Sequence, residues 1–477
     1  MKTRILIAGM LACMAPAVSA EVTLPHILGD NMLLQQQSQA KLWGKAKPGS
    51  KVTVTPSWNG KKHSVKAEND GSWSVTVATP EASFTNYTIT IGDGDGPAKV
   101  LRDVLVGDVW ICSGQSNMEM PLKGFGCQGV EGSLDEIMTA GRLKDRIRMF
   151  KVGWERSFDK DLDDCQGEWL KASSSTVGDL SAIAYFYGKY LTDILDIPVG
   201  VITPYWGGTR IEAWMPLETL RGCVTPERYE AKLQDTFMRP SELYCAMIAP
   251  LRDYAAKGFI WYQGEANLDN PDHYDIMMAA MVDRWRKDWG DNNASMPFYY
   301  AQIAPFSYWW MKEGDYPSFV EAQVRAQALI PNCAMAATTD VGDKMLIHPP
   351  RKREVGQRMA SLALSGTYGI EMEETRVPVL EKWEVTDGKI NITLSNAPIG
   401  LCPLISEPVA GFEIAGEDHI FHPAKASVYN NPNGVVTVWN DSVPAPVAVR
   451  YAWRNFPDCN LTTPLGIPVA PFRTDSW

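Results

Sequence analysis

Four short stretches carry residue types that together can perform acyl transfer, which needs a nucleophile, a base within its reach and donors for the oxyanion of the transition state. The first is Gly107-Asp108-Val109-Trp110-Ile111-Cys112-Ser113-Gly114-Gln115-Ser116-Asn117-Met118-Glu119-Met120. An apolar run over 104–112, broken by Gly107 and Asp108, gives way there to small polar residues. Such a run suits a buried parallel strand, and Ser116 just beyond it stands at the carboxyl edge of the sheet, where α/β folds place their chemistry. Serines after strands also cap helices and make turns, so this stretch alone leaves both readings open. The second stretch is Tyr205-Trp206-Gly207-Gly208-Thr209-Arg210-Ile211-Glu212-Ala213-Trp214. Its Gly pair allows a sharp turn and a close backbone approach to a ligand, or simply a tight strand-to-helix connection. The third, Gln263-Gly264-Glu265-Ala266-Asn267, crowds polar side chains onto the end of an apolar segment, as an amide donor or a turn cap would require. The fourth holds His348, in Ile347-His348-Pro349-Pro350-Arg351-Lys352. The chain has 6 histidines. His26 and His63 fall in an N-terminal β region, His419 and His422 in a C-terminal one, and His273 reads as a helix-start residue. A lone loop histidine is usually a surface residue, but this scarcity and the order Ser, Asn, His along the chain favour His348 as a base.

The elements that must position these residues follow from periodicity. Over 22–102 the chain alternates in the manner of strands, as in Lys51-Val52-Thr53-Val54-Thr55 and Ser72-Trp73-Ser74-Val75-Thr76-Val77. Asn59-Gly60 and Asn69-Asp70-Gly71 supply turns between such runs. From 104 onward apolar strands alternate with amphipathic helices. Strands are predicted at 199–203, 258–263, 298–303 and 333–338, and helices at 181–191, 274–289, 319–329 and 354–364. That alternation predicts a doubly wound parallel sheet. From 377 the chain is β-rich again and interrupted by prolines. The expected organisation is a leader at 1–20, a β-sandwich at 21–103, the α/β domain at 104–376 and a β-rich region at 377–477.

Lys2 and Arg4, the apolar stretch 5–14 and Ala17-Val18-Ser19-Ala20 form an export signal with a small-residue cleavage site, pointing to a periplasmic or extracellular protein. Acylation of Cys13 is the weaker reading, because Met10-Leu11-Ala12 is a poor lipobox. No later apolar run reaches the roughly 18 residues that a membrane span needs. The net charge of −11, made more acidic by loss of the leader, argues against nucleic acid as a partner. Nine cysteines in 477 residues are too sparse for a disulfide scaffold, and no metal-ligand motif occurs, so no metal or cofactor is expected.

The four stretches, spanning 104–365, resemble the sialate O-acetylesterase family of SGNH-type carbohydrate esterases. That resemblance implies an SGNH-hydrolase-like sheet carrying Ser116 as nucleophile and His348 as base. It further implies an oxyanion hole of the Ser116 N–H, the N–H of Gly207 or Gly208 (Gly208 preferred) and the Asn267 amide. Gln115, Trp206, Arg210, Gln263 and Glu265 become candidate substrate contacts, Glu265 either binding substrate hydroxyls or shaping its loop. Arg210 would steer a sialate carboxylate if it is not engaged in a surface ion pair. Trp206, Trp309 and Trp310 offer faces for sugar stacking. The implied partner is an O-acetylated sugar, most simply an O-acetylated sialic acid, with acetylated polysaccharide next.

One feature of the family pattern is missing. Its members usually place an acid two or three positions before the histidine, where this chain has Met345 and Leu346. Three arrangements are open, in order of preference. A backbone carbonyl or another side chain orients His348 in a working dyad; Asp343 or Asp340 folds back to do so; or catalysis is weakened. The last would leave a glycan-binding protein on an esterase scaffold. A glycosidase is disfavoured, since no carboxyl pair stands out.

Overall fold

A computed structural model of the chain describes residues 22–230, 239–372, 374–404, 408–428 and 434–477. The leader expected at 1–20 and Cys13 lie outside the described residues. At the centre is a sheet built from β1 (Lys99–Gly114), β2 (Ile147–Val152), β3 (Gly167–Lys171), β4 (Val199–Thr203), β5 (Gly258–Tyr262), β6 (Phe298–Ala301) and β7 (Cys333–Ala336). Their order is β7-β6-β5-β1-β4-β2-β3, with every pair parallel except β2 and β3. The strands are apolar on both faces because both are covered. Val109, Ile111, Phe259 and Trp261 share one core with helices α3 (Tyr274–Asp288) and α4 (Asp315–Leu329) and with the N-terminal β layers. Their sheet neighbours Trp110, Cys112, Ile260 and Tyr262 point the other way, onto α2 (Ala182–Leu195) and α5 (Lys352–Gly366).

Winding sets the position of the site. From β1 the chain first builds β2, β3 and β4 on one side, then crosses to build β5, β6 and β7 on the other. The reversal leaves a crevice at the carboxyl end of β1, between β4 and β5, which is where open α/β sheets bind ligands.

The expected boundary at 103/104 falls inside a single strand. The first half of β1 pairs antiparallel with Ser83–Gly92, and its second half pairs parallel with β4 and β5. The N-terminal strands are thereby continuous with the central sheet, and Leu42, Val52, Val75 and Val77 join its core. The C-terminal strands form separate sheets, Val379–Thr386 with Lys389–Ser395, Val435–Trp439 and Lys425–Ser427 in one, over a core of their own. Strands β2 and β3 were not among the sequence expectations. In β2, Arg148 interrupts the apolar run yet is fully buried, its guanidinium bonded to the Lys144 carbonyl and to Asp103. The eight described cysteines are unpaired.

Candidate active site

Ser116 opens α1 (Ser116–Glu119), a single turn directly past β1. The backbone carries the sheet beyond its formal end: the Gln115 N–H donates to the Tyr262 carbonyl at 3.0 Å, and the Trp206 N–H to the Gly114 carbonyl at 3.1 Å. Gly114 is required there. Its φ is +146°, and a Cβ would stand 2.1 Å from the Tyr262 carbonyl oxygen. The three stretches after β1, β4 and β5 are thus tied edge to edge.

The turn after β4 lies against the serine. A Cβ on Gly207 would come within 3.2 Å of Ser116 Cβ and 3.1 Å of Glu119 Oε2, so only bare backbone approaches this closely. The Gly207 N–H donates to Glu119 Oε2. Burial pushes the Glu119 carboxyl above its ordinary range, and the Gly207 N–H pulls it back. With Gly207 committed, the Gly208 N–H is the unclaimed donor of the pair, and the Ser116 N–H is likewise free among the described residues.

Asn267, fully buried, is held rigidly. Its Oδ1 accepts from the Ile211 N–H at 3.0 Å and from Gln263 Nε2 at 2.8 Å, while one Nδ2 proton goes to Glu212 Oε2 at 2.8 Å. The second Nδ2 proton has no partner among the described residues. Gln263, expected as a substrate contact, is instead fully buried and fully used. It donates also to the Thr209 carbonyl and accepts from the Tyr274 hydroxyl, so its work is to orient Asn267. Gln115, expected in the same role, is 3 % exposed, and its Oε1 accepts the N–H groups of Gly264 and Ala266. Gln263 thus corrects the sequence expectation, whereas Gln115 turns its Oε1 onto the β5 loop.

His348 is half-buried on the loop before α5. Its Nδ1 lies 2.7 Å from Gln128 Oε1, and Phe125 packs edge-on against the ring at 5.3 Å. The two grips come from one tight turn, closed by reciprocal hydrogen bonds between the Phe125 and Gln128 backbones. The Glu131 N–H fastens the following segment to the Pro350 carbonyl. Neither acid considered from the sequence reaches the histidine. Asp343 caps its own loop by accepting from the Met345 and Leu346 N–H groups, and Asp340 pairs with Arg358. The group at Nδ1 is a neutral amide, which corrects Asp343 for that place. Because Oε1 can only accept, the ring carries its proton on Nδ1 and leaves the Nε2 lone pair free. Burial and then the Lys352 charge hold His348 down at about 4, so the imidazole is neutral over the ordinary pH range.

Asn117 joins the serine turn to the histidine loop by donating to the Ile347 carbonyl at 3.1 Å. It also donates to Glu265 Oε1, so the Glu265 carboxylate is turned onto this amide and not into open space. Arg210 is bound to the exposed Asp269, the ion-pair alternative of the sequence reading. Trp206 lies half-buried beside the Gly turn, stacked at 5.6 Å and 21° on Trp154, which is 57 % exposed. Trp309 and Trp310 pack on Phe306 in an exposed aromatic cluster. Gln128, Glu119, Glu212, Lys352 and Trp154 were not singled out from the sequence. No helix among the described residues is long and apolar enough to cross a membrane.

The sheet and the residues gathered at its switch point define an ester hydrolase of the SGNH-like α/β class. Comparison with known proteins agrees. The family described as carbohydrate esterase, sialic acid-specific acetylesterase matches residues 106–365. A carbohydrate acetylesterase from Xanthomonas citri is 34% identical and superimposes with a TM-score of 0.86, over 96% of this chain and 100% of that one. The mouse sialate O-acetylesterase is 29% identical over 89% of this chain and 88% of its own length, and the human one 29% over 94% and 91%. The chain belongs to the sialic acid-specific acetylesterase family of carbohydrate esterases.

Proposed function

We propose that this esterase removes O-acetyl groups from sialic acids through an acetyl-enzyme on Ser116. Nε2 of His348 takes the Ser116 proton as Oγ bonds to the acetyl carbonyl carbon. The proton then passes to the sugar oxygen as the ester C–O bond breaks. Water repeats the sequence on the acetyl-enzyme and releases acetate. The oxyanion is met by the N–H groups of Ser116 and Gly208 and by the spare Nδ2 proton of Asn267. The observation that carries this reading is the division of donors beside Ser116: Glu119 occupies the Gly207 N–H, and the Gly208 N–H is left free.

The names of the mouse and human relatives support sialic acid as the sugar. Arg210 supports it too, as a cation beside the Gly turn that is paired with buried Glu212 and with exposed Asp269, the latter exchangeable for a substrate carboxylate. The stacked Trp154 and Trp206 would take the sugar ring. The pattern of residues 1–20 supports export, and hence an extracytoplasmic glycan. A second reading, an acetylated neutral polysaccharide, is favoured by the same aromatic pair and by the Xanthomonas citri relative, whose name specifies only carbohydrate. Acetate release from a panel of O-acetylated sialic acids, xylo-oligosaccharides and simple sugar acetates tests the assignment. Preference for the sialic acids by kcat/KM, abolished in Ser116→Ala, is expected. Preference for acetylated xylo-oligosaccharides would overturn the choice of sugar, and undiminished turnover by Ser116→Ala would overturn the mechanism.

A further inference from the structure

The side chain next to the nucleophile has an ionisable group at each end. Asn117 is fully buried, with both Nδ2 protons and Oδ1 engaged. The protons go to Glu265 Oε1 and to the Ile347 carbonyl, and Oδ1 accepts from Lys352 Nζ. Lys352 is itself fully buried at the start of α5, with its Nζ 5.8 Å from the Tyr262 ring centre. Glu265 Oε2 is buried and has no hydrogen-bond partner among the described residues. A carboxyl group and an amine therefore face each other across one amide; burial pushes Glu265 up and Lys352 down to about 7, and each pulls the other back toward its charged form. In their charged forms the two fix its orientation, because a flipped Asn117 would set its NH2 against the ammonium and its oxygen against the carboxylate. Fixed that way, the second Nδ2 proton points to the carbonyl immediately before His348.

Burial disfavours the charge on either group alone, and the charge on each is what opposes that in the other. We propose that Asn117, polarised between Glu265 and Lys352, is the positioning residue that holds the His348 loop in register with the Ser116 turn. The proposal rests on Ser116 and His348 as the reacting pair, and it moves Glu265 from substrate contact to support. The remaining ionisable groups facing Glu265 are Tyr262, Tyr274, Tyr308 and Tyr316, all kept protonated by burial. Lys352 also faces His348 and helps to hold it neutral.

The test is a charge-rescue cycle with p-nitrophenyl acetate. Lys352→Met strands Glu265 and is expected to lower kcat about a hundredfold with KM changed less than about twofold, and to move the acid limb of the pH profile upward. The double variant Glu265→Gln/Lys352→Met, with no charge left to strand, is expected to recover about tenfold over Lys352→Met. A merely structural lysine would give losses that multiply and a limb that stays in place, and either result overturns the proposal. If Lys352→Met alone does not fold while the double variant folds and turns over, the coupling is demonstrated in stability instead; failure of both to fold overturns it. Ser116→Ala separates the levels: activity surviving there removes the underlying pair, whereas multiplicative losses with Ser116→Ala inactive remove only the clamp.

Discussion

Replacing Gln128 with glutamate supplies His348 with the carboxylate that its relatives usually take from upstream. The two side chains have the same shape, and the new oxygen would occupy the place of Oε1, 2.7 Å from Nδ1. Accepting from the same Nδ1–H, it keeps the tautomer that leaves Nε2 free. What changes is the charge. In the wild type, burial and Lys352 hold the ring at about 4 with no anion to oppose them. An ionised neighbour at hydrogen-bond distance favours the imidazolium by about 1 to 3 pH units, or about 1.4 to 4 kcal/mol. Catalysis needs the neutral ring and is lost as pH falls through its pKa. The acid limb of kcat/KM, near about pH 4 in the wild type, should therefore rise to about 5 to 7 in Gln128→Glu. At about pH 8 the variant should turn over at least as fast as the wild type, since the carboxylate also stabilises the imidazolium of the transition state. Gln128→Ala, which releases the ring, should lower kcat by roughly tenfold to a hundredfold with the limb nearly unmoved. Initial rates on p-nitrophenyl acetate across pH read all three proteins. A limb that does not rise in Gln128→Glu would refute the placement of this side chain on His348.

Further outcomes are open to measurement. Asn267→Ala removes one oxyanion donor and should lower kcat by about 10²–10³ with little effect on KM, measured on p-nitrophenyl acetate. Gly114→Ala forces a Cβ against the Tyr262 carbonyl at positive φ, and should cost about 3 kcal/mol or more, read as a lowered melting temperature together with lost turnover. Trp154→Ala should raise KM for an acetylated glycan up to about tenfold, the worth of one aromatic stacking contact, and leave p-nitrophenyl acetate kinetics alone. An equal loss on both substrates would place Trp154 outside the sugar site.

What could be read from the chain, and what could not, divides along a physical line. The apolar runs of β1, β4 and β5 announce themselves because both sheet faces are covered, and the polar residues at their ends stand where the winding reverses. Strand β2 hides because Arg148 stands second in it and Lys151 fifth, the arginine buried only through partners that the fold supplies. The helix after His348 starts at Lys352, a residue no periodicity would bury; burial pulls its amine down to about 7, opposed by Glu265, and its Nζ donates to Asn117, both partners from other stretches. Asp343 looked suitable for its nearness in sequence, yet it spends its carboxylate on the two N–H groups that follow. The group that does orient His348 lies 220 residues away in a turn rich in glycine. Local pattern cannot report an amide that becomes functional only when the chain closes over it. The same holds for Gln115 and Gln263, whose place at strand ends was legible but whose partners were not.

The central claim is that the acetyl group passes through Ser116. Acid quenching of the enzyme during turnover of p-nitrophenyl acetate, followed by peptide mass mapping, tests it directly. One acetyl group on Ser116, absent from Ser116→Ala, is the predicted result. Full turnover with Ser116 unmodified and the label on another residue would contradict it.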